Sequence, residues 1–143
     1  MADLVRVVLD TNGWISSYIN PYSALARRLE ELVKSPAIEV LFSQPLREEI
    51  LRVLRRPKFG KYFSATRLAV YETDIQEFPL TPVSTVVTLC RDSKDNFLLA
   101  LCQDGNADFL ITGDQDLLVL ERFGSTRILS WAAADTETAL QLR

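Results

Sequence analysis

The chain has 143 residues and a mass of 16.2 kDa, the size of one domain, and 48% of it is apolar, enough to build a core. Charged residues make up 24%, and 16 Lys+Arg against 19 Asp+Glu leave a net charge of −3. It contains no histidine. That excludes imidazole metal ligands, histidine general bases and Ser-His-Asp or Cys-His catalysis, and leaves carboxylates, hydroxyls, Lys and Arg to carry any chemistry.

In chain order, Leu4–Leu9 predicts a strand buried on both faces, and Tyr22–Lys34 a helix through Leu25, Leu29, Leu32 and Val33. Ile38–Phe42 predicts a second strand and Pro45–Arg55 a helix, with Pro45 acceptable in its first turn. Arg56–Phe63 is a basic, aromatic connector and Ala65–Phe78 another helix. Val83–Leu89 predicts a strand, Lys94–Asp104 a helix, Phe109–Thr112 a strand, Leu117–Phe123 a helix and Arg127–Leu129 a short strand, before an Ala-rich helical tail. Alternation of this kind predicts one α/β domain over residues 1–143, a three-layer α/β/α arrangement around a central, mostly parallel sheet of about five strands. In such sheets function sits beyond the carboxyl ends of the strands.

The two cysteines, Cys90 and Cys102, form no CxxC pair and cannot build a four-ligand zinc site. Cys102 lies in an apolar run and is expected to be a small buried hydrophobe. The N-terminus lacks a basic region followed by an apolar core, and no stretch reaches the length of a membrane span. The expectation is a cytoplasmic protein with reduced thiols and no membrane partner.

Acids gather where the predicted strands end. Asp10 follows the first strand, Asp92 and Asp95 follow Val83–Leu89, and Asp114 and Asp116 follow Phe109–Thr112. Each has a local explanation. Asp10 can orient its own loop, Asp92 with Asp95 fits a capping box, and Asp114 and Asp116 suit a helix N-terminus. Several carboxylates on one sheet edge nevertheless repel one another, and Mg²⁺ or Mn²⁺ relieves that repulsion with the oxygen ligands such ions prefer.

At about 100° per residue, Glu49 falls on the core-facing flank of the stripe Leu46, Ile50, Val53, Leu54. Glu48 points away and is spaced to pair with Arg52. By the same geometry Asp95 borders the buried face of its helix. Asp104 lies at that helix's far end and is set aside, and Asp92 is assigned to capping.

With LDTN after the first strand, Glu49 within SQPLREEILRVLRRPKF, and DSKDNFLLA ahead of TGDQDLL, the chain resembles the PIN-domain family. It looks closest to the prokaryotic branch of toxin components related to the VapC ribonuclease toxins. The resemblance runs from Leu9 to Ser130, and its specificity lies in the order and spacing of the motifs. It implies a site of Asp10, Glu49, Asp95 and Asp114, with Asp116 close by, around one or two Mg²⁺ or Mn²⁺ ions. It further implies endonucleolytic cleavage of RNA leaving a 5′-phosphate and a 3′-hydroxyl, a cognate antitoxin and a homodimer. Two positions depart from the pattern. Gly13-Trp14 stands in place of a smaller aliphatic pair, with Trp14 expected near the mouth of the site, and Trp131 stands where a proline is expected. Neither departure is expected to touch a metal ligand.

An acidic protein must still hold a polyanion. Between Arg47 and Arg67, seven bases face two acids for a net +5, while the remaining nine bases and seventeen acids give −8. Phe59, Tyr62 and Phe63 interleave with these bases, offering stacking surfaces beside phosphate-binding charge. Candidate substrate contacts are Asn12, Thr112, Arg52, Arg55, Arg56 and Lys58. Competing enzymes fit worse. A haloacid-dehalogenase-type phosphatase needs an acid at position 12, where Asn12 stands, and a receiver domain needs a late lysine that Thr126–Ser130 lacks. Neither a dinucleotide fingerprint nor a Walker loop occurs. The remaining alternative is an inactive scaffold of the same fold that binds RNA or a protein partner.

Overall fold

Five residues, Val5–Leu9 (β1), form an interior strand of the sheet, and Val7, Val8 and Leu9 are fully enclosed. The computed structural model describes residues 3–89 and 93–141. β1 pairs in parallel with Ile38–Val40 (β2) on one side and Phe109–Ile111 (β3) on the other. β3 in turn pairs in parallel with Thr126–Leu129 (β5), whose outer edge carries the antiparallel Arg122–Phe123 (β4). The sheet order β2-β1-β3-β5-β4 is thus a five-stranded, mostly parallel α/β sheet, as expected.

Helices cover it. Ala24–Lys34 (α2) packs on β2, and Ser93–Asp104 (α5) packs on β1 and on Gln44–Leu54 (α3). The core face of α3 is Leu46, Ile50, Val53 and Leu54, all buried, each contributing about 1.5–3 kcal/mol by leaving water. Ser43 caps this helix by accepting the Leu46 N–H. Trp131–Thr136 (α7) packs on β5. Arg28 of α2 reaches it, donating to the carbonyls of Ala134 at 3.3 Å and Leu140 at 2.7 Å and pairing with Asp135. No helix among the described residues is long and apolar enough to cross a membrane.

Four elements differ from expectation. Thr11–Ile19 forms a helix (α1) that hydrophobic spacing does not announce. Asp10 nucleates it as N-cap, and Gly13, Trp14, Ile15 and Ser17 are buried along it. The strand expected at Val83–Leu89 does not form. That segment keeps the period-two alternation of a strand, with Val83 and Val87 against the core and Val86 exposed. Its backbone bonds go elsewhere, however. The Ser84 and Thr85 N–H groups donate to Asp104 at 2.8 and 3.0 Å, and Thr81 N–H donates to the Phe42 carbonyl. The helix expected over Leu117–Phe123 is only the short Gln115–Leu118 (α6). Glu121 and Gly124 both adopt left-handed backbone, turning the chain into the β4–β5 hairpin. β4 therefore supplies the fifth strand in place of Val83–Leu89. The remaining helix, Ala65–Glu77 (α4), leans on α3 and buries Ile75. Its partly exposed lead-in contains a 3₁₀ turn at Pro57–Phe59.

Candidate active site

The carboxyl ends of β1 and β3 lie side by side, which brings Asp10 against the Thr112-Gly113-Asp114 turn. Asp10 is buried, 5% exposed, and both oxygens of its carboxylate accept hydrogen bonds. Gly13 N–H donates to Oδ1 at 2.8 Å, and Oδ2 accepts from Thr112 Oγ1 at 2.6 Å and Gly113 N–H at 3.4 Å. Burial raises its pKa, the hydrogen bonds from Thr112, Gly13 and Gly113 oppose that rise, and the charge of Asp114 adds to it. Capping and site formation share one carboxylate: Oδ1 starts α1, and Oδ2 is turned to the Thr112-Gly113 turn that leads to Asp114.

Thr112 links two acids. Its hydroxyl donates to Asp10 and accepts the Asp114 N–H at 3.0 Å, while Asp114 caps α6 by accepting the Asp116 N–H at 2.9 Å. Asp95 stands on the first turn of α5. Asp95, Asp114 and Asp116 each offer an oxygen within 4.8 Å of the others. Asp10, Glu49, Asp95 and Asp114 line one cleft of about 220 Å³, together with Thr11, Asn12, Val53, Arg56, Phe97 and Leu98. A wider hollow of about 690 Å³ lies beside α2, but its Lys34 and Glu30 are already paired with each other.

Glu49 reaches this cleft from α3, and its carboxylate pairs with Arg52. The Glu48–Arg52 pairing expected from i,i+4 spacing is not made. Glu48 instead accepts from Gln44 Nε2 at 2.8 Å, on the far side. Asp104 is far from the acids and serves the 81–89 segment, and Asp92 and Cys90 lie outside the described residues. Cys102 is buried as expected, and burial pushes its thiol up to about 12.

The substrate contacts expected from sequence separate. Asn12 and Arg56 line the cleft. Thr112 is fully buried beneath it, its hydroxyl committed to Asp10 and Asp114, so it positions acids and does not face a ligand. Arg52 is paired with Glu49 and Arg55 with Glu72. Lys58 is exposed on the 3₁₀ turn, its ammonium 5.1 Å from the Phe59 ring centre. Among the aromatics, Phe63 is core, Phe59 half-buried and Tyr62 40% exposed.

Trp14 is not at the mouth. It is 3% exposed, enclosed by Phe42, Phe78 and Tyr18. Gly13, expected to touch no ligand, holds Asp10 through its N–H. No side-chain signal marks that contact, but Asp followed three residues on by glycine at a strand end is its sequence trace.

All of these donors are oxygens, three of them close enough to share an ion, which is the donor set of a hard divalent cation. Over 118 residues the chain is 30% identical to "Uncharacterized protein MJ1680" of Methanocaldococcus jannaschii, covering 81% of this chain and 75% of that protein. The PIN domain family profile matches residues 6–116, from β1 through Asp116, a span that holds all five candidate acids. The chain belongs to the PIN domain family, whose members are generally nucleases.

Proposed function

We propose that the protein is a metal-dependent endoribonuclease acting through Asp10, Glu49, Asp95, Asp114 and Asp116, and that it is the toxin component of a toxin–antitoxin pair. The observation that carries the nuclease reading is the convergence of Asp95, Asp114 and Asp116 beside the cleft that Asp10 and Glu49 also line. The toxin role, with its antitoxin and homodimer, draws its support from the motif resemblance alone.

Asp95, Asp114 and Asp116 would hold Mg²⁺ or Mn²⁺, with Asp10 and Glu49 adjoining. Such an ion supplies activation of water at neutral pH and charge against the phosphodiester. The chain's own groups do the positioning. Thr112 and the Gly13 N–H fix the Asp10 carboxylate in one orientation, so no reorganisation is needed when a phosphate arrives. Arg52 holds Glu49 at the cleft wall, and Arg56 places a cation where the strand of negative phosphates enters. Phe97, Leu98 and Val53 form an apolar wall that limits water on that side.

The test is cleavage of RNA by purified protein with Mg²⁺ or Mn²⁺, with EDTA, and with Asp10→Asn or Asp95→Asn. Cleavage is expected only with the ion and intact acids. Cleavage that survives both EDTA and the substitutions defeats the metal mechanism, and RNA binding without any cleavage favours the inactive scaffold.

A further inference from the structure

The two departures from the family pattern, Gly13-Trp14 and Trp131, meet in space. A β-carbon at position 13 would stand 2.8 Å from Trp131 Cζ2 and 3.4 Å from Cε2, inside the separation at which carbon atoms attract. The six-membered ring of Trp131 therefore occupies the room that a side chain at 13 would take. That same point is 3.0 Å from Asp10 Oδ1, so the indole and the buried carboxylate flank one spot at the start of α1. Trp131 is held there from the other side as well. It opens α7 directly after β5, whose Leu129 carbonyl accepts the Thr112 N–H at 2.9 Å, and Ser130 caps the helix.

The two tryptophans differ in surroundings. Trp14 is enclosed by three aromatic rings, whereas Trp131 remains half-buried at the carboxyl edge of the sheet. Leaving part of an indole in water forgoes burial that an aromatic otherwise gains. Trp131 does not line the cleft itself but adjoins Asp10, which does, and a partly open indole there has a natural complement in an unpaired nucleobase, whose stacking does not depend on base identity. We infer that Trp131 is a nucleobase-stacking residue that receives one base of single-stranded RNA and thereby holds the adjoining phosphate at the Asp10 side of the cleft. The inference rests on the endoribonuclease reading. It assigns the two substrate tasks to different places: charge from Arg56 at the end of α3, and stacking from Trp131 at the end of β5.

The experiment measures binding of a short single-stranded oligoribonucleotide to Asp95→Asn protein, which should not turn it over. The same oligomer is prepared with one abasic nucleotide at each position in turn. With Trp131 present, one abasic position is expected to weaken binding by about five- to a hundredfold, the range for stacking on an aromatic side chain. In Trp131→Ala the intact oligomer loses that factor and the abasic profile becomes flat, while Trp131→Phe retains part of both. Tryptophan fluorescence should be quenched by the intact oligomer and not by the one abasic at that position. The Trp131→Phe protein, keeping only Trp14, should show no quenching. A flat abasic profile in the Trp131 protein overturns the inference, even where Trp131→Ala fails to fold. So does a Trp131→Ala protein that loses affinity equally for every oligomer, since the ring then only packs on Gly13. Cleavage of RNA by the wild-type protein alongside a flat profile defeats the Trp131 role alone; absence of both binding and cleavage defeats the endoribonuclease reading with it.

Discussion

Asp10 carries two opposed demands. Its burial favours the neutral acid, while Thr112, Gly13 and Gly113 donate hydrogen bonds that favour the carboxylate. Because its folded pKa is raised, the metal-free protein is penalised as pH rises from the unfolded value through the folded one, and carries no penalty below both. Asp10→Asn should therefore raise the melting temperature in EDTA at neutral pH, with the gain vanishing in acid, while the proposed RNA cleavage falls by about 100-fold or more. A melting difference that does not vary with pH would contradict the assignment. Thr112→Val keeps the shape and removes the hydroxyl shared by Asp10 and Asp114. It should cost about 1–3 kcal/mol of stability by denaturant unfolding. Affinity for the proposed Mg²⁺, read by calorimetry, should fall by about 10–100-fold, since a group that orients its proposed ligands is lost.

Among the elements, the 81–89 segment separates pattern from pairing. Its Val-rich alternation predicts a strand, and the alternation is present, but pairing stops at the Phe42–Leu80 bridge just past β2, and N–H groups beyond it find a side-chain acceptor that composition does not reveal. Here Asp104, at the end of α5, takes the Ser84 and Thr85 N–H groups and the Thr85 hydroxyl. Those bonds lower the Asp104 pKa, so their contribution is present above the unfolded carboxylate value and is lost as pH falls through the depressed one. Asp104→Ala should speed hydrogen exchange at Ser84 and Thr85 at neutral pH and leave β1 amides unchanged; equal rates in both proteins would count against this anchoring. α1 is hidden for the opposite reason. Gly13, Ser16 and Ser17 weaken its helical signal, and its stability comes from the Asp10 cap and from burial of Trp14 and Ile15. By contrast α2, α3 and β1 are legible because their apolar spacing and their burial coincide.

Across the whole molecule, the acidic cluster is legible because a parallel sheet sends successive strand ends to one edge, so chain order alone collects Asp10 and Asp114. The Glu49–Arg52 pair and the loss of Thr112 to the interior are not legible, since both depend on side-chain direction. The same holds for the +5 segment. Arg47 donates to the Gln76 and Phe78 carbonyls, Arg67 to Tyr62, Tyr18 and Tyr71, and Arg52 and Arg55 are ion-paired. Among the described residues, Arg56, Lys58 and Lys61 have no carboxylate within ion-pair distance. On the proposed RNA-binding role, three phosphate contacts give a slope of log affinity against log salt of about −2 for a single strand. A much steeper slope would mean that the paired arginines open to bind RNA.

Arg28 also has a temporal meaning. Its guanidinium Nη2 donates to the carbonyls of Ala134 and Leu140, and the sheet places β5 between β3 and β4. A nascent chain that has exposed only residues up to Asp116 already contains every candidate acid but lacks the strand whose Leu129 carbonyl steadies Thr112. Domains generally fold as units during synthesis. By the same rule the acids come into register only once residues 126–140 join the fold, so a cluster encoded in full before residue 117 is brought together by a segment that contains none of it.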